Sequence, residues 1–455
     1  MKPVVAGVTR CVVTFVSLFL WLMNGVHTVE VAVDPAVAKV EIYLDQRRVG
    51  IATAPDWSLE CDFGPTLRPH ELEAVALDET GAELGRARQL VNMPRGNAEV
   101  EIVLEGDGAD APEALRVVAI SRHRHDPLAV FVTFDGVALR QRPDGRFELP
   151  DYDPRMAHVV SAEAHFPNEV MARKDIIFGG VYGGRVTTEL TAVPVVVDGG
   201  RRPDAAELEG LLSVRTSPVR VAAVERPGGR VYAVRDHVSW PVMRGIGDTI
   251  DVRQRKVRAD IRRRLQTGFD LETERDLPPK VDRFYLVVAN PIETRGLSLF
   301  PVIRPFDLRQ WGLQWLLTHV SSEDASVSGQ MLAEAVAVAG VRAAAEGTPR
   351  TVVIVVSGES DDRSRLAPGA ARQYLEALRV PLEVWSSDGS SVVEGWGAAT
   401  DVSKIGALGK ASRRLVKQLE RQWIVWIEGR HLPPNIELAP NARGLDLAGA
   451  AASGQ

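Results

Sequence analysis

The chain has 455 residues, 45% of them apolar and 25% charged, which is the composition of folded protein and more chain than one domain commonly holds. Its 54 basic and 60 acidic residues leave a formal net charge of −6, so there is no global attraction to nucleic acid or to an acidic membrane. Aromatic residues at 6% argue against a wide base-stacking surface, and the 39 glycines and 28 prolines point to the many turns of β-rich modules.

Lys2 and Arg10 bracket a short basic start, and Cys11–Met23 is an apolar run without charge. It is shorter than the roughly 20 residues of a membrane-crossing helix. Its length suits the apolar stretch of a secretory signal over residues 1–27, and the competing reading is a buried strand or helix of the first domain. Export to the periplasm, cell surface or extracellular space is therefore expected. After cleavage only Cys61 would remain, too few for an internal disulfide, and its alternating surroundings make it a small buried hydrophobe.

Thr28–Val33, Val40–Leu44, Trp57–Phe63 and Glu71–Leu77 alternate with period two and predict half-buried strands, with Arg86–Val91 and Glu99–Leu104 completing a module over 28–106. Glu105–Pro112 reads as a polar linker. The pattern then recurs: Val130–Asp135 matches Val40–Asp45, Phe147–Leu149 matches Trp57–Leu59, and Ala157–His165 echoes His70–Leu77. Two copies of one β-sandwich unit explain this, the second over 113–185. A third β-rich stretch covers 186–250, with a hairpin expected at Val219–Val224 and Arg230–Val234 around Pro227-Gly-Gly229. Residues 251–280 hold a basic run answered by acidic residues, the mark of a solvated connector.

From Phe284 the texture changes. Phe284–Ala289, Thr351–Val356, Val380–Trp385 and Trp423–Glu428 are apolar strands alternating with helices at Leu308–Val320, Gly329–Ala345, Gly369–Leu378 and Lys404–Gln422. This order predicts a doubly wound, Rossmann-like α/β domain over 281–432, followed by a tail over 433–455. The fold class expected is thus multidomain, with N-terminal β-sandwich modules before a C-terminal α/β domain.

Val40–Val49, His70–Ala76, the helix Gln330–Val336, the strand and turn Val352–Asp361, and Tyr374–Val384 resemble the bacterial von Willebrand factor type A-related family whose exported members carry immunoglobulin-like repeats. The resemblance implies Ig-like modules and a type A-like domain. It also implies a divalent-cation site built from D-x-S-x-S after the first strand, a threonine, and an aspartate in an SDG turn. Here those positions fall at Asn290, Gln330 and Gly358, none of which supplies the expected ligand, so the metal site reads as degenerate and no cofactor is expected. Glu359, Asp361 and Asp362 lie at the carboxyl end of Thr351–Val356, where open α/β sheets bind ligands, and form the candidate binding loop. The bland alternative is a solvated loop with aspartates capping a helix.

Other motifs are weaker. His123-Arg-His125 lacks further zinc ligands, and Gly179–Gly184 is Gly-rich without a phosphate-binding strand–helix unit. Ser360 sits near a strand–helix elbow but does not match G-x-S-x-G, and no histidine is placed as its base. Trp311, Trp315, Trp385, Trp396, Trp423 and Trp426 read as core, or, where exposed, as anchors for a partner. The expectation is a non-catalytic binding or adhesion protein of the cell envelope that contacts another protein, with no nucleic acid and no small-molecule substrate. The alternative is an assembly subunit beside a metal-bearing type A paralogue, and a hydrolase is the third class.

Overall fold

The computed structural model describes residues 12–17, 22–93, 98–106, 112–121, 126–166, 171–180, 190–253, 282–294, 297–306, 309–321, 329–345 and 347–449. The basic and acidic run from Arg255 to Asp276, the pair His123 and His125, and Val181–Gly184 lie outside them. Two compact units divide the chain, Met1–Arg95 and Gly96–Gln455. Among the described residues no helix is long and apolar enough to cross a membrane.

The first unit holds β1 (Val13–Phe15), β2 (Val26–Val33), β3 (Lys39–Leu44), β4 (Arg47–Ala52), β5 (Ser58–Asp62), β6 (His70–Leu77) and β7 (Glu83–Val91). They form antiparallel sheets of order β1-β2-β5 and β4-β3-β6-β7 around one core that includes Val29, Val31, Val40, Ile42, Phe63 and Leu72. Period two does the sorting: Val29 and Val31 point inward while Thr28, Glu30 and Ala32 do not. Within the apolar run Cys11–Met23, β1 pairs with Val31–Val33, and Val13 and Phe15 are buried in this core. Cys61 is buried there too, and burial pushes its thiol up to about 11, which leaves it unreactive at neutral pH.

The second unit opens with β8 (Ala98–Glu105), β9 (Ala114–Ser121), β10 (Ala129–Phe134), β11 (Val137–Leu139), β12 (Arg146–Glu148), β13 (Ala157–His165) and β14 (Met171–Gly179). Sheets β12-β9-β8 and β11-β10-β13-β14 enclose a second sandwich core with Leu115, Val132, Phe134, Phe147, Val160 and Phe178. The strand at Ala98–Glu105 therefore does not complete the first module as expected; it pairs along its length with β9.

The two sandwiches share one turn in atomic detail. Asp45 and Gln46 at the β3–β4 turn have φ of 50° and 69°, and Asp135 and Gly136 at the β10–β11 turn have 49° and 74°, the left-handed pair of a tight hairpin. Asp45 Oδ1 accepts the Glu71 N–H at 2.9 Å, and its Oδ2 lies 2.7 Å from His70 Nδ1. Asp135 does the same with Val159 N–H at 2.9 Å and His158 Nδ1 at 2.7 Å. Each aspartate thus staples its turn to the central strand of its sheet. Removing one staple leaves a strand N–H and one imidazole nitrogen without that partner, so Asp135→Ala is expected to lose about 1–3 kcal/mol, measured by urea unfolding of the full chain.

The chain then builds a module that it leaves and re-enters. β15 (Leu190–Val197), helix α1 (Ala205–Leu208), β16 (Leu212–Val214), β17 (Ser217–Pro218) and β18 (Val221–Glu225) come first. An α/β segment follows, with β19 (Arg230–Arg235), α2 (Trp240–Arg253), β20 (Arg283–Val287), the hairpin β21 (Ile292–Thr294) and β22 (Leu297–Leu299), β23 (Val302–Phe306), α3 (Arg309–His319), α4 (Leu332–Ala345), β24 (Arg350–Val356), α5 (Pro368–Ala377), β25 (Leu382–Ser386), β26 (Val392–Val393), β27 (Gly397–Ala398), β28 (Thr400–Asp401) and α6 (Ile405–Glu420). The chain returns as β29 (Gln422–Glu428), β30 (Ile436–Leu438) and β31 (Leu445–Leu447). These last strands complete the antiparallel sheets β18-β29-β15-β31 and β17-β16-β30. Residues 433–455 are thus no simple tail, and Trp423–Glu428 is not a strand of the parallel sheet.

The six-stranded sheet has the order β23-β20-β19-β24-β25-β28, parallel except at β23. Val231, Ala233, Phe284, Leu286, Val353 and Val355 pack on one face against α2, α3 and α6. Helix α4 lies against β19, β20 and β24 and is itself covered by α5. A Cβ on Gly340 of α4 would come within 2.6 Å of Leu375 Cδ1, so glycine sets that close approach. The strand at Phe284 and the strand at Thr351 are not neighbours, because β19 runs between them. The hairpin expected at Val219–Val234 is absent: β18 and β19 belong to different sheets. Pro227-Gly-Gly229 is a crossing, in which the Gly229 N–H donates to Asp282 Oδ1 at 2.8 Å where a Cβ would collide.

Candidate functional site

Parallel strands end in register, so the residues just past β19, β24 and β25 meet at the carboxyl edge of the sheet, the place where open α/β sheets offer loops to ligands. These residues are Asp236, Ser357 and the pair Ser387-Asp388. Asp236 follows the central strand and is 1% exposed. Its Oδ1 accepts the Ser239 N–H at 2.6 Å, and its Oδ2 accepts the Ser357 N–H at 3.0 Å and the Ser360 hydroxyl. Burial pushes the Asp236 carboxyl above its ordinary value, and the bonds from Ser239 and Ser357 pull the other way. Ser239 Oγ meets Ser387 Oγ at 2.7 Å, both buried. The Asp236 carboxylate thus ties the loop after β19 to the loop after β24, and the Ser239–Ser387 hydroxyl pair adds the loop after β25.

Asp388 is exposed and performs a second tie. Its carboxylate accepts from Ser386 Oγ at 2.6 Å, the Ser390 N–H at 2.9 Å and the Gly358 N–H at 2.6 Å. Those donors, the Ser386 hydroxyl foremost, hold it well below the ordinary carboxylate range. Gly358 therefore contributes a backbone donor to this loop. Arg235 anchors the edge from beneath: Nη1 donates to Leu317 O at 2.6 Å, Nη2 to Val320 O at 2.9 Å, and the guanidinium stacks 4.1 Å from the Trp240 ring centroid.

The residues singled out from sequence occupy this edge, in different roles. Asn290 follows β20, one strand away from the centre, so the position after the first strand of the sheet is Asp236 and not Asn290. A carboxylate therefore does follow the first strand, with Val238 and Trp240 two and four residues beyond it. Gln330 Oε1 accepts the His237 N–H at 2.8 Å and lies 2.9 Å from His237 Nδ1, which pins the loop after Asp236. Glu359 is exposed, and its N–H donates to Ser357 Oγ at 3.2 Å. Asp361 is exposed and pairs with Arg363 at 3.3 Å. Asp362 turns the other way and caps α4, accepting the Leu332 N–H at 2.9 Å and the Ser364 N–H at 3.0 Å. The three acids do not converge, and among the described residues no group of three or more His, Cys, Asp or Glu side chains is placed to hold a metal.

A cation does not fit the edge as arranged. Both Asp236 oxygens face N–H or O–H donors, whose positive ends repel an ion. Nor is an activated nucleophile assembled, since Ser239 and Ser387 bond each other and the His237 ring is turned to Gln330. Ser239, Ser357, Ser360, Ser387 and Asp388 were not singled out for these roles in the sequence. The available signal was Asp236 two residues after the apolar Val231–Val234, followed by Ser239 and a Trp-Pro helix start.

No family model matches the sequence, and no curated protein matches it. Among solved structures, the chain is similar to fibronectin(III)-like modules of Clostridium thermocellum CbhA at 14% identity, over 37% of this chain and 93% of that one, with a TM-score of 0.15. It is similar to the Parabacteroides merdae β-glucuronidase at 13% identity and a TM-score of 0.17, over 36% of this chain and 24% of the enzyme. It is also similar to a tetra-tandem repeat from the extending region of a large adhesion protein, at 17% identity over 43% of this chain and 53% of that one, with a TM-score of 0.13.

Proposed function

We propose that this is an exported, non-catalytic binding protein of the cell envelope, in which Ig-like modules carry a type A-like α/β domain that contacts another protein through its carboxyl edge. The observation that carries this reading is the Asp236 tie. With the Ser239–Ser387 pair beside it, it holds the loops after β19, β24 and β25 by hydrogen bonds, which favours a preformed surface over a reaction centre. Preformed loops lose little conformational entropy on binding, so a modest contact area suffices for affinity. The strand order, with the chain entering at the centre of the sheet and leaving at both sides, supports the type A-like assignment. Export rests on the basic start and the apolar run Cys11–Met23 alone, and the burial of Val13 and Phe15 in the first core matches the competing reading of that run as a strand of the first domain.

The test is site-specific photo-crosslinking in the native envelope. A photoreactive residue at Glu359 or Asp388 is expected to trap one discrete partner, and the same residue at Lys417, exposed on α6, is expected to trap none. Equal trapping at all three positions, or at none, contradicts the assignment of this edge. A trapped chain that carries a complete oxygen-ligand set would favour the assembly-subunit reading.

A further inference from the structure

Within the second unit, the outer face of β13–β14 packs on the outer face of β18–β29. Val159 and Ile177 meet Ala222, Ile424 and Trp426, all buried, so the second sandwich is joined to the split module by a dry apolar seam. Two buried glutamates border it, and they are treated differently. Glu163 on β13 is compensated: its carboxylate contacts His165 and lies 3.9 Å from Arg230 Nη2 and 3.8 Å from Arg283 Nη1. Burial opposes its charge, but His165, Arg230 and Arg283 outweigh burial and hold it well below the ordinary range. Glu225, at the end of β18, is 4% exposed. Its Oε1 accepts the Trp426 indole N–H at 3.0 Å, while its Oε2 is buried and meets no hydrogen-bond donor among the described residues. That second oxygen lies beside the β10–β11 turn: a Cβ built on Gly136 would be in ordinary contact with it at 3.6 Å and with the Arg226 carbonyl at 3.7 Å.

We propose that Glu225 makes this seam a proton-operated latch, closed when the carboxyl is protonated and loosened when it ionises. A protonated carboxyl puts a neutral O–H beside the turn, whereas the anion is buried with one indole N–H as its hydrogen-bond donor and Arg173 only as a more distant charge, which favours separation and access of water. The groups that face Glu225 are Arg173 and Asp175 on β14, Asp135 in the β10–β11 turn, Trp426 on β29 and, next in the chain, Arg226. Arg173 is already held by Asp175 at 2.8 Å and by Ser161 Oγ at 3.0 Å, and so is not free to follow Glu225. Burial pushes Glu225 from its ordinary 4.5 to about 7, with Arg173 and the Trp426 N–H opposing and Asp175 and Asp135 reinforcing.

The sign follows from linkage. The closed seam binds the proton more tightly than the open one, so its stability is fully present below pH 4.5 and is lost as pH rises through 7. With those two values, the closed-to-open ratio falls about thirtyfold between pH 5.5 and 8.5. Amide hydrogen exchange of the full chain reads this in peptides covering Ala157–His165, Met171–Gly179 and Gln422–Glu428, corrected for intrinsic rates, with His70–Leu77 as the reference. Wild-type seam peptides are expected to lose about thirtyfold protection over that range, and Glu225→Gln, which keeps an acceptor for Trp426, to lose less than about threefold. Trp426→Phe removes a donor that favours the anion and is expected to deepen the loss. Seam protection that is independent of pH, an equal loss in Glu225→Gln, or an equal loss in the reference peptide would overturn the latch.

Discussion

Asp236→Ala is expected to lower the stability of the second unit by about 3–5 kcal/mol, the combined cost of leaving three donors without their acceptor. The substitution deletes no apolar packing. It leaves the Ser239 and Ser357 N–H groups and the Ser360 hydroxyl without their acceptor at the closed edge of three loops, and each buried unpaired donor carries its own desolvation penalty. Asp236→Asn separates geometry from charge. Its carbonyl replaces Oδ1 for Ser239, but its amide N–H₂ then confronts the Ser357 N–H, donor against donor. A loss of about 1–3 kcal/mol is expected, between wild type and alanine, measured as the thermal unfolding midpoint of the full chain. Equal midpoints for all three proteins would show that the tie contributes nothing.

The second large effect is at Arg235. Its guanidinium is 2% exposed and donates to the carbonyls of Leu317 and Val320 around the carboxyl end of α3, where a positive charge also complements the helix dipole. Arg235→Ala leaves those acceptors unpaired and uncovers the Trp240 ring, so about 3–5 kcal/mol is lost. Arg235→Lys does not restore it, because one ammonium cannot span both carbonyls and stack on the indole as the planar fork does. Denaturant unfolding followed by near-ultraviolet dichroism of the tryptophans reports both.

How much of this was legible in the chain depends on what each stretch encodes. β2, β3 and β6 were readable because each buries one face, and alternation states that directly. Thr351–Val356 was readable as a strand covered on both sides, because every residue of β24 is buried. The same logic misplaced Trp423–Glu428. Val425 and Ile427 enter the core of the split module while Ile424 and Trp426 enter the seam, so β29 is apolar on both faces yet antiparallel. An apolar run reports burial on two faces; it does not report the direction of the partner.

The candidate site was lost at a crossing. Pro227-Gly-Gly229 carries the composition of a hairpin turn, but Gly229 is required where the backbone approaches Asp282, a contact between residues far apart in sequence. A hairpin at Val219–Val234 puts Asp236 outside the α/β domain and makes Phe284–Ala289 its first strand, whereas the first strand is β19. Gln330 and Gly358 lie at the carboxyl edge, and their roles as acceptor for His237 and donor to Asp388 emerge only from the side chains they meet.

The central claim is that serine and backbone donors, not an ion, hold the carboxyl edge through Asp236. The most direct measurement is the thermal midpoint of the wild-type chain in excess Mg²⁺, Mn²⁺ or Ca²⁺ against the same protein in chelator, since an ion that binds only the folded form raises the midpoint. The hydrogen-bonded edge predicts coincident transitions. A rise of several degrees in one of these cations, reversed by chelator and absent in Asp236→Asn, would contradict it.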